Sequence, residues 1–277
     1  MRIKIFTMVK DEVDIIRDWI IYHGSMFGWD NIYIIDNYSS DGTYEIIANE
    51  FGHLIHHFRE TNYSKKGDLM THLMNEYCSY QDDYAFPIDI DEFIVYYDKL
   101  DNNLTVSIDK NLIFSYFNNL PPSRVYKADY IYPINTSENG YERATTEIDF
   151  GYYCDMGGSA KSFINKRYFN GNFDHGNHMY CNDYHLTKIC LLHYHERNFN
   201  QIKKKIENNI IGLEYQNNLE YLTNLIEINP NCSGWHHVRK QIEVLKNNYS
   251  FNSLNVNNFP NKINISPFKE RIKNGFF

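Results

Sequence analysis

Apolar and polar positions along the first hundred residues alternate between the period of a strand and that of a helix. Arg2 to Val9 is a short apolar run that reads as a buried strand. In residues 11–27, Ile16, Trp19, Ile20, His23 and Phe27 recur at helical spacing and give one apolar face. Asn31 to Asp36 (NIYIID) predicts a second strand, and Asp41 and Gly42 then open a helix, with Asp41 as the expected N-cap. His53 to Phe58 reads as a third strand, Lys65 to Tyr80 as a third helix, and Tyr84 to Ile88 as a fourth strand running into DIDEF. Strands separated by helices imply right-handed crossovers and a mostly parallel central sheet flanked by helices, an α/β fold. Ligands of such sheets bind beyond the C-terminal strand ends. The polar segments MVKDE, DNYSSDG and DIDE converge at that edge.

The middle of the chain is less regular. Residues 107–119 suit a helix ended by Pro121 and Pro122, and VYKADYIYP, AKSFIN and KICLLHY suit strands. Phe199 to about Tyr249 reads as two or three amphipathic helices, and the Asn-rich end as loop.

With 277 residues, 43% of them hydrophobic, the chain can bury a sizeable core. A formal net charge of −8 argues against nucleic acid as a partner. Five cysteines without CxxC spacing match no zinc site and fit a reducing compartment. Acids arrive too early in MRIKIFTMVKDEVD for a signal peptide, and no transmembrane segment is evident, so a cytoplasmic protein is expected.

The sharpest candidate chemistry is AFPIDIDEFIVYY. If the strand persists, Asp89 and Asp91 point to one side and Ile90 to the other. Two such close carboxylates repel unless a cation lies between them, and hard oxygen ligands suit Mg²⁺ or Mn²⁺. The bland reading is a solvated acidic turn. Asp36 ends an apolar strand, where its carboxylate can accept hydrogen bonds from a base or ribose, whereas Ser39, Ser40 and Asp41 read as turn and cap. Lys10 could reach a phosphate.

In this order, MVKDEVDIIRDWIIYHGSMFGWDNIYIIDNYSSDGT, DIDEFI, KSFINKR at 161–167, a Gly-x-His at 176–178 and LLHYHERN at 191–198 resemble the GT-A fold glycosyltransferases of the family 2 and family 92 type. The resemblance spans roughly residues 3–205. It implies a nucleotide-sugar donor (a UDP-sugar being the leading choice), Mn²⁺ or Mg²⁺ on the Asp-x-Asp motif, inversion, and a glycan or other hydroxyl acceptor. By position it assigns the metal to Asp89 and Asp91, with His193 as a late ligand and His195 as its rival. Val9, Glu12 and Asp36 fall where the nucleotide is held, and Lys66 on the segment that passes the diphosphate or base. Arg197 is a candidate phosphate clamp.

An inverting transfer also needs a general base, for which Asp155 beside Gly157 and Gly158 is the candidate, with Asp149, Glu147 and Asp174 as rivals. The expected organisation is a catalytic domain over 1–205, divided into a nucleotide-binding half (1–100) and an acceptor-side half (101–205), then a helical C-terminal extension over 206–277. Two enzyme alternatives fit less well. MVKDEVD is not the Gly-rich basic loop of a nucleotidyltransferase, and DIDEF lies on the wrong strand for a haloacid dehalogenase phosphatase. A catalytically silent nucleotide-sugar or glycan-binding module is the alternative outside the enzymes.

Overall fold

A computed structural model describes residues 1–81, 83–100, 104–248 and 254–274, which divide into two units. The first comprises 1–134, 143–195 and 255–277, and the second 135–142 and 196–254.

The first unit opens with β1 (Ile3–Val9), α1 (Ile16–Phe27), β2 (Ile32–Asp36), α2 (Thr43–Ile46), β3 (His56–Arg59), α3 (Lys66–Tyr77) and β4 (Tyr84–Pro87). β1 pairs in parallel with β2 and β4, and β2 with β3. Every residue of β1 and β2 is buried, as expected of parallel strands covered on both faces. Val9 and Asp36 are register partners at the C-terminal ends of their strands. On one face Met70 and Met74 of α3 join Phe6, Met8 and Ala85 in a buried cluster. That packing fixes the first turn of α3, and with it Lys66, beside the end of β4.

Beyond β4 come β5 (Glu92–Tyr96), α4 (Lys110–Asn118), β6 (Tyr126–Pro133), α5 (Ala144–Glu147), β7 (Phe150–Cys154), β8 (Lys161–Asn165) and β9 (His185–His193). Here the sheet is mixed rather than mostly parallel. β8 joins β4 and β6 antiparallel, β7 joins β6 antiparallel, and β9 runs parallel to β6 and antiparallel to β5.

α1 ties this region to the first half. Its Trp19 Nε1 donates to the Glu92 carbonyl at 3.0 Å and its Tyr22 hydroxyl to the Ile94 carbonyl at 2.6 Å. His23, fully buried, stacks on Phe93, with Nδ1 3.0 Å from the Trp19 carbonyl and Nε2 accepting from the Ile94 amide at 3.4 Å. That geometry requires neutral imidazole, and burial pushes its pKa down to about 3. Because the folded value lies below the unfolded one, the unfolded chain takes up this proton first. His23 therefore stabilises the fold fully above about pH 6.5, and that contribution is lost as pH falls towards 3. Between pH 7 and pH 5 its share of the loss is about 2 kcal/mol. Urea unfolding at both pH values should show this extra slope in the native protein and lack it in His23→Phe; equal slopes would contradict the assignment.

The second unit carries α6 (Phe199–Gly212), α7 (Leu219–Ile228) and α8 (Trp235–Leu245), the three helices of the tail. Ile210, Leu222, Cys232 and Val238 form its buried centre. Asn198 and Asn218 cap α6 and α7 by accepting from the Gln201 and Tyr221 amides. α6 runs across the boundary expected at residue 205.

The Asn-rich end is not loop throughout, and it does not extend the helical tail. β10 (Ile263–Asn264) pairs with β7, and in α9 (Ser266–Asn274) Phe268 is buried against Tyr22 and Phe93 of the first unit. The apolar spacing Ile263, Ile265, Phe268 and Ile272 outweighs the polar composition around it. Among the described residues no helix is long and apolar enough to cross a membrane.

Candidate metal centre

The strand expected to carry the Asp-x-Asp motif stops at Pro87, so Asp89 and Asp91 lie in the turn between β4 and β5. Strand alternation no longer applies, and the two carboxylates find different partners.

Asp91, 1% exposed, points to the histidines at the end of β9. Its Oδ1 is 3.6 Å from His193 Nε2 and its Oδ2 3.9 Å from His195 Nδ1. One ligand atom from each of the three residues falls within a 4.8 Å span. The antiparallel register of β5 with β9, which sets Glu92 opposite His193, brings together segments a hundred residues apart. The other ring nitrogen of His193, Nδ1, is buried without a hydrogen-bond partner among the described residues, an arrangement that is costly unless a water engages that nitrogen. Two imidazoles and one carboxylate, all in one unit, fit a borderline divalent cation such as Mn²⁺ better than Mg²⁺, which prefers oxygen donors.

Asp89 faces two lysines instead. Lys66 Nζ donates to its Oδ1 at 2.6 Å and Lys161 Nζ to its Oδ2 at 2.7 Å. Lys161 also lies 3.1 Å from Glu92, whose Oε2 accepts the Asp89 amide at 2.7 Å. Burial opposes the charge on Asp89, but the ammonium groups of Lys161 and Lys66 outweigh it and hold the carboxyl well below the usual range. Burial likewise opposes the charge on Lys161, and Asp89 and Glu92 more than compensate, raising its pKa. Lys161 was not singled out in the sequence. Its signal there is slight, a lysine opening a short segment, KSFIN, whose residues are all buried.

The remaining candidates are spread more widely. Asp36 accepts from the Ser39 amide and from Arg59 Nε at 3.0 Å, and the Arg59 guanidinium sits between the rings of Tyr38 and Tyr44. Glu12 is buried, with its amide donating to Thr43 Oγ1, and the Val9 carbonyl accepts from the Asn37 amide. Lys10 braces the Asn37 and Tyr38 carbonyls. Asp41 is a staple between loops rather than the N-cap, a position taken by Gly42: Asp41 accepts from Thr43 and from the Val13 amide. Arg197 is buried in the second unit, where its carbonyl accepts from the Tyr141 amide.

Asp155 does not join the cluster. It is 57% exposed, 3.0 Å from Lys99, and that hydrogen bond lowers its pKa and weakens it as a base. It follows the end of β7, whose Tyr153 hydroxyl donates to Asp129, whereas Tyr130 and Tyr132 of β6 contact His193. Of the rival acids, Asp149 pairs with Lys269, and Asp174 accepts from the His178 and Met179 amides.

No family model and no curated protein matches the chain. Among solved structures it is similar to S. aureus TarS 1–349, at 9% identity over 87% of this chain and 70% of that chain, with a TM-score of 0.39. A likeness of that degree assigns no activity.

Proposed function

We propose that the protein is a Mn²⁺-dependent glycosyltransferase that uses a nucleotide-diphosphate sugar, with Asp91, His193 and His195 holding the metal. The observation that carries this reading is the meeting of Asp91 with two histidines, next to a turn where two buried lysines flank Asp89. The ordered sequence resemblance to family 2 and family 92 enzymes supplies the substrate class. A cation held there by Asp91, His193 and His195 would supply Lewis-acid stabilisation of charge building on the leaving diphosphate. The chain's own share is positive charge from Lys66 and Lys161, held in place by α3 and β8. The nucleoside then lies over the ends of β1 and β2, where Val9 and Asp36 are neighbours. The acceptor is a glycan or another hydroxyl compound.

Nucleotide release from a panel of nucleotide sugars tests the reading. Release that requires Mn²⁺, stops in EDTA and rises with a glycan acceptor is expected. Tight binding of a nucleotide sugar with no release under any condition would establish a binding module instead.

A further inference from the structure

The two acids of the Asp-x-Asp motif have separate surroundings, and the burial around Asp89 distinguishes its role from that of Asp91. Lys66 and Lys161 are 6% and 1% exposed, and each places its ammonium against a different oxygen of Asp89. Buried ammonium groups without a counter-charge carry a large desolvation cost, so some anion must stand beside them before any ligand arrives. Glu92 is one such anion, but it is fully buried and fixed by the Asp89 amide. Asp89, 35% exposed, lies on the solvent side of the lysines in this group. It occupies the position through which an incoming anion would reach both ammonium groups. The cluster of Lys66, Lys161, Asp89 and Glu92 is neutral, two charges against two, and offers a polyanion nothing until Asp89 leaves.

We propose that Asp89 is a resident counter-anion, not a metal ligand, and that a diphosphate group displaces it from Lys66 and Lys161. This inference rests on the proposed function for the nature of the donor but not for its test. Asp89 turns out of the lysine pair as diphosphate oxygens take its place, exchanging one anion for another without leaving either ammonium bare. The lysine pair is open to ligand only in the fraction of molecules in which Asp89 has swung away, and apparent affinity is reduced by that fraction.

Isothermal titration of Asp89→Asn and Asp91→Asn separates the two roles, using Mn²⁺ alone and, in metal-free buffer, inorganic pyrophosphate. Asp89→Asn should bind pyrophosphate at least about tenfold more tightly than the native protein, as removal of a competing conformer allows. Its Mn²⁺ affinity should stay within about threefold, since Asp91, His193 and His195 remain in place. Unchanged or weaker pyrophosphate binding overturns the proposal, as does a loss of Mn²⁺ affinity matching that of Asp91→Asn. Mn²⁺ binding unaffected by Asp91→Asn would sink the metal centre, while the metal-free pyrophosphate titration still decides the role of Asp89. Should Asp89→Asn fail to fold, a pyrophosphate soak of native crystals decides it. Pyrophosphate on Lys66 and Lys161 with Asp89 turned out supports displacement; Asp89 still between the lysines contradicts it.

Discussion

Asp91→Ala is expected to lower Mn²⁺ affinity by more than about 100-fold, beyond the range typical of losing a residue that only supports a ligand. Asp91 is the one carboxylate in the group, and it lies between two imidazoles that are neutral when they act as ligands. Without it the remaining donors are two nitrogens with no formal charge to offset the cation's. Metal-dependent turnover should disappear with metal binding. The fold should persist, because the backbone that carries Asp91 is fixed independently, by the Tyr194 amide donating to the Asp91 carbonyl and by Trp19 holding Glu92. Titration with Mn²⁺, followed by the signal of the free ion, measures the loss. A change under threefold would remove Asp91 from the metal site.

The second large effect is on stability. Lys161→Met should destabilise the protein by about 3–5 kcal/mol, the cost of leaving a buried charge without its partner. Lys161 is the only lysine in the cluster within ion-pair distance of Glu92 among the described ion pairs, and Glu92 has no exposed surface. Asp89 would keep Lys66, but buried Glu92 would lose its ion-pair partner. Adding Glu92→Gln to Lys161→Met should recover a substantial part of the loss, since residues of one charge network do not contribute additively. Urea denaturation of the single and double variants gives the comparison. A loss below about 1 kcal/mol for Lys161→Met would show that the cluster is more hydrated than its burial implies.

The parallel half of the sheet was legible because its signals are local. Unbroken apolar runs in Ile3–Val9 and Ile32–Asp36, separated by an amphipathic helix, leave few topologies open. The metal centre was only partly legible. Both DIDEF and LLHYHE stood out, but their meeting depends on the pairing of β5 with β9, which neither segment encodes alone. The separate orientations of Asp89 and Asp91 have a different cause. Extending the strand past Pro87 puts both acids on one side, whereas the turn lets each take its own partners, Asp89 the two lysines and Asp91 the two histidines. His195 counts as fully as His193, because the two rings, two residues apart, both turn to Asp91. Asp155 looked suited to proton transfer beside its glycines, and only the placement of Lys99, far away in sequence, shows a different neighbourhood. The Asn-rich terminus holds a strand and a helix because the spacing of four apolar residues outweighs its polar composition.

Anomalous diffraction from a crystal soaked in Mn²⁺ locates the ion directly. The account predicts one strong peak within coordination distance of Asp91, His193 and His195, with Asp89 still engaged by Lys66 and Lys161. A peak bound by Asp89 with the two histidines turned away, or no peak in that turn, would contradict it.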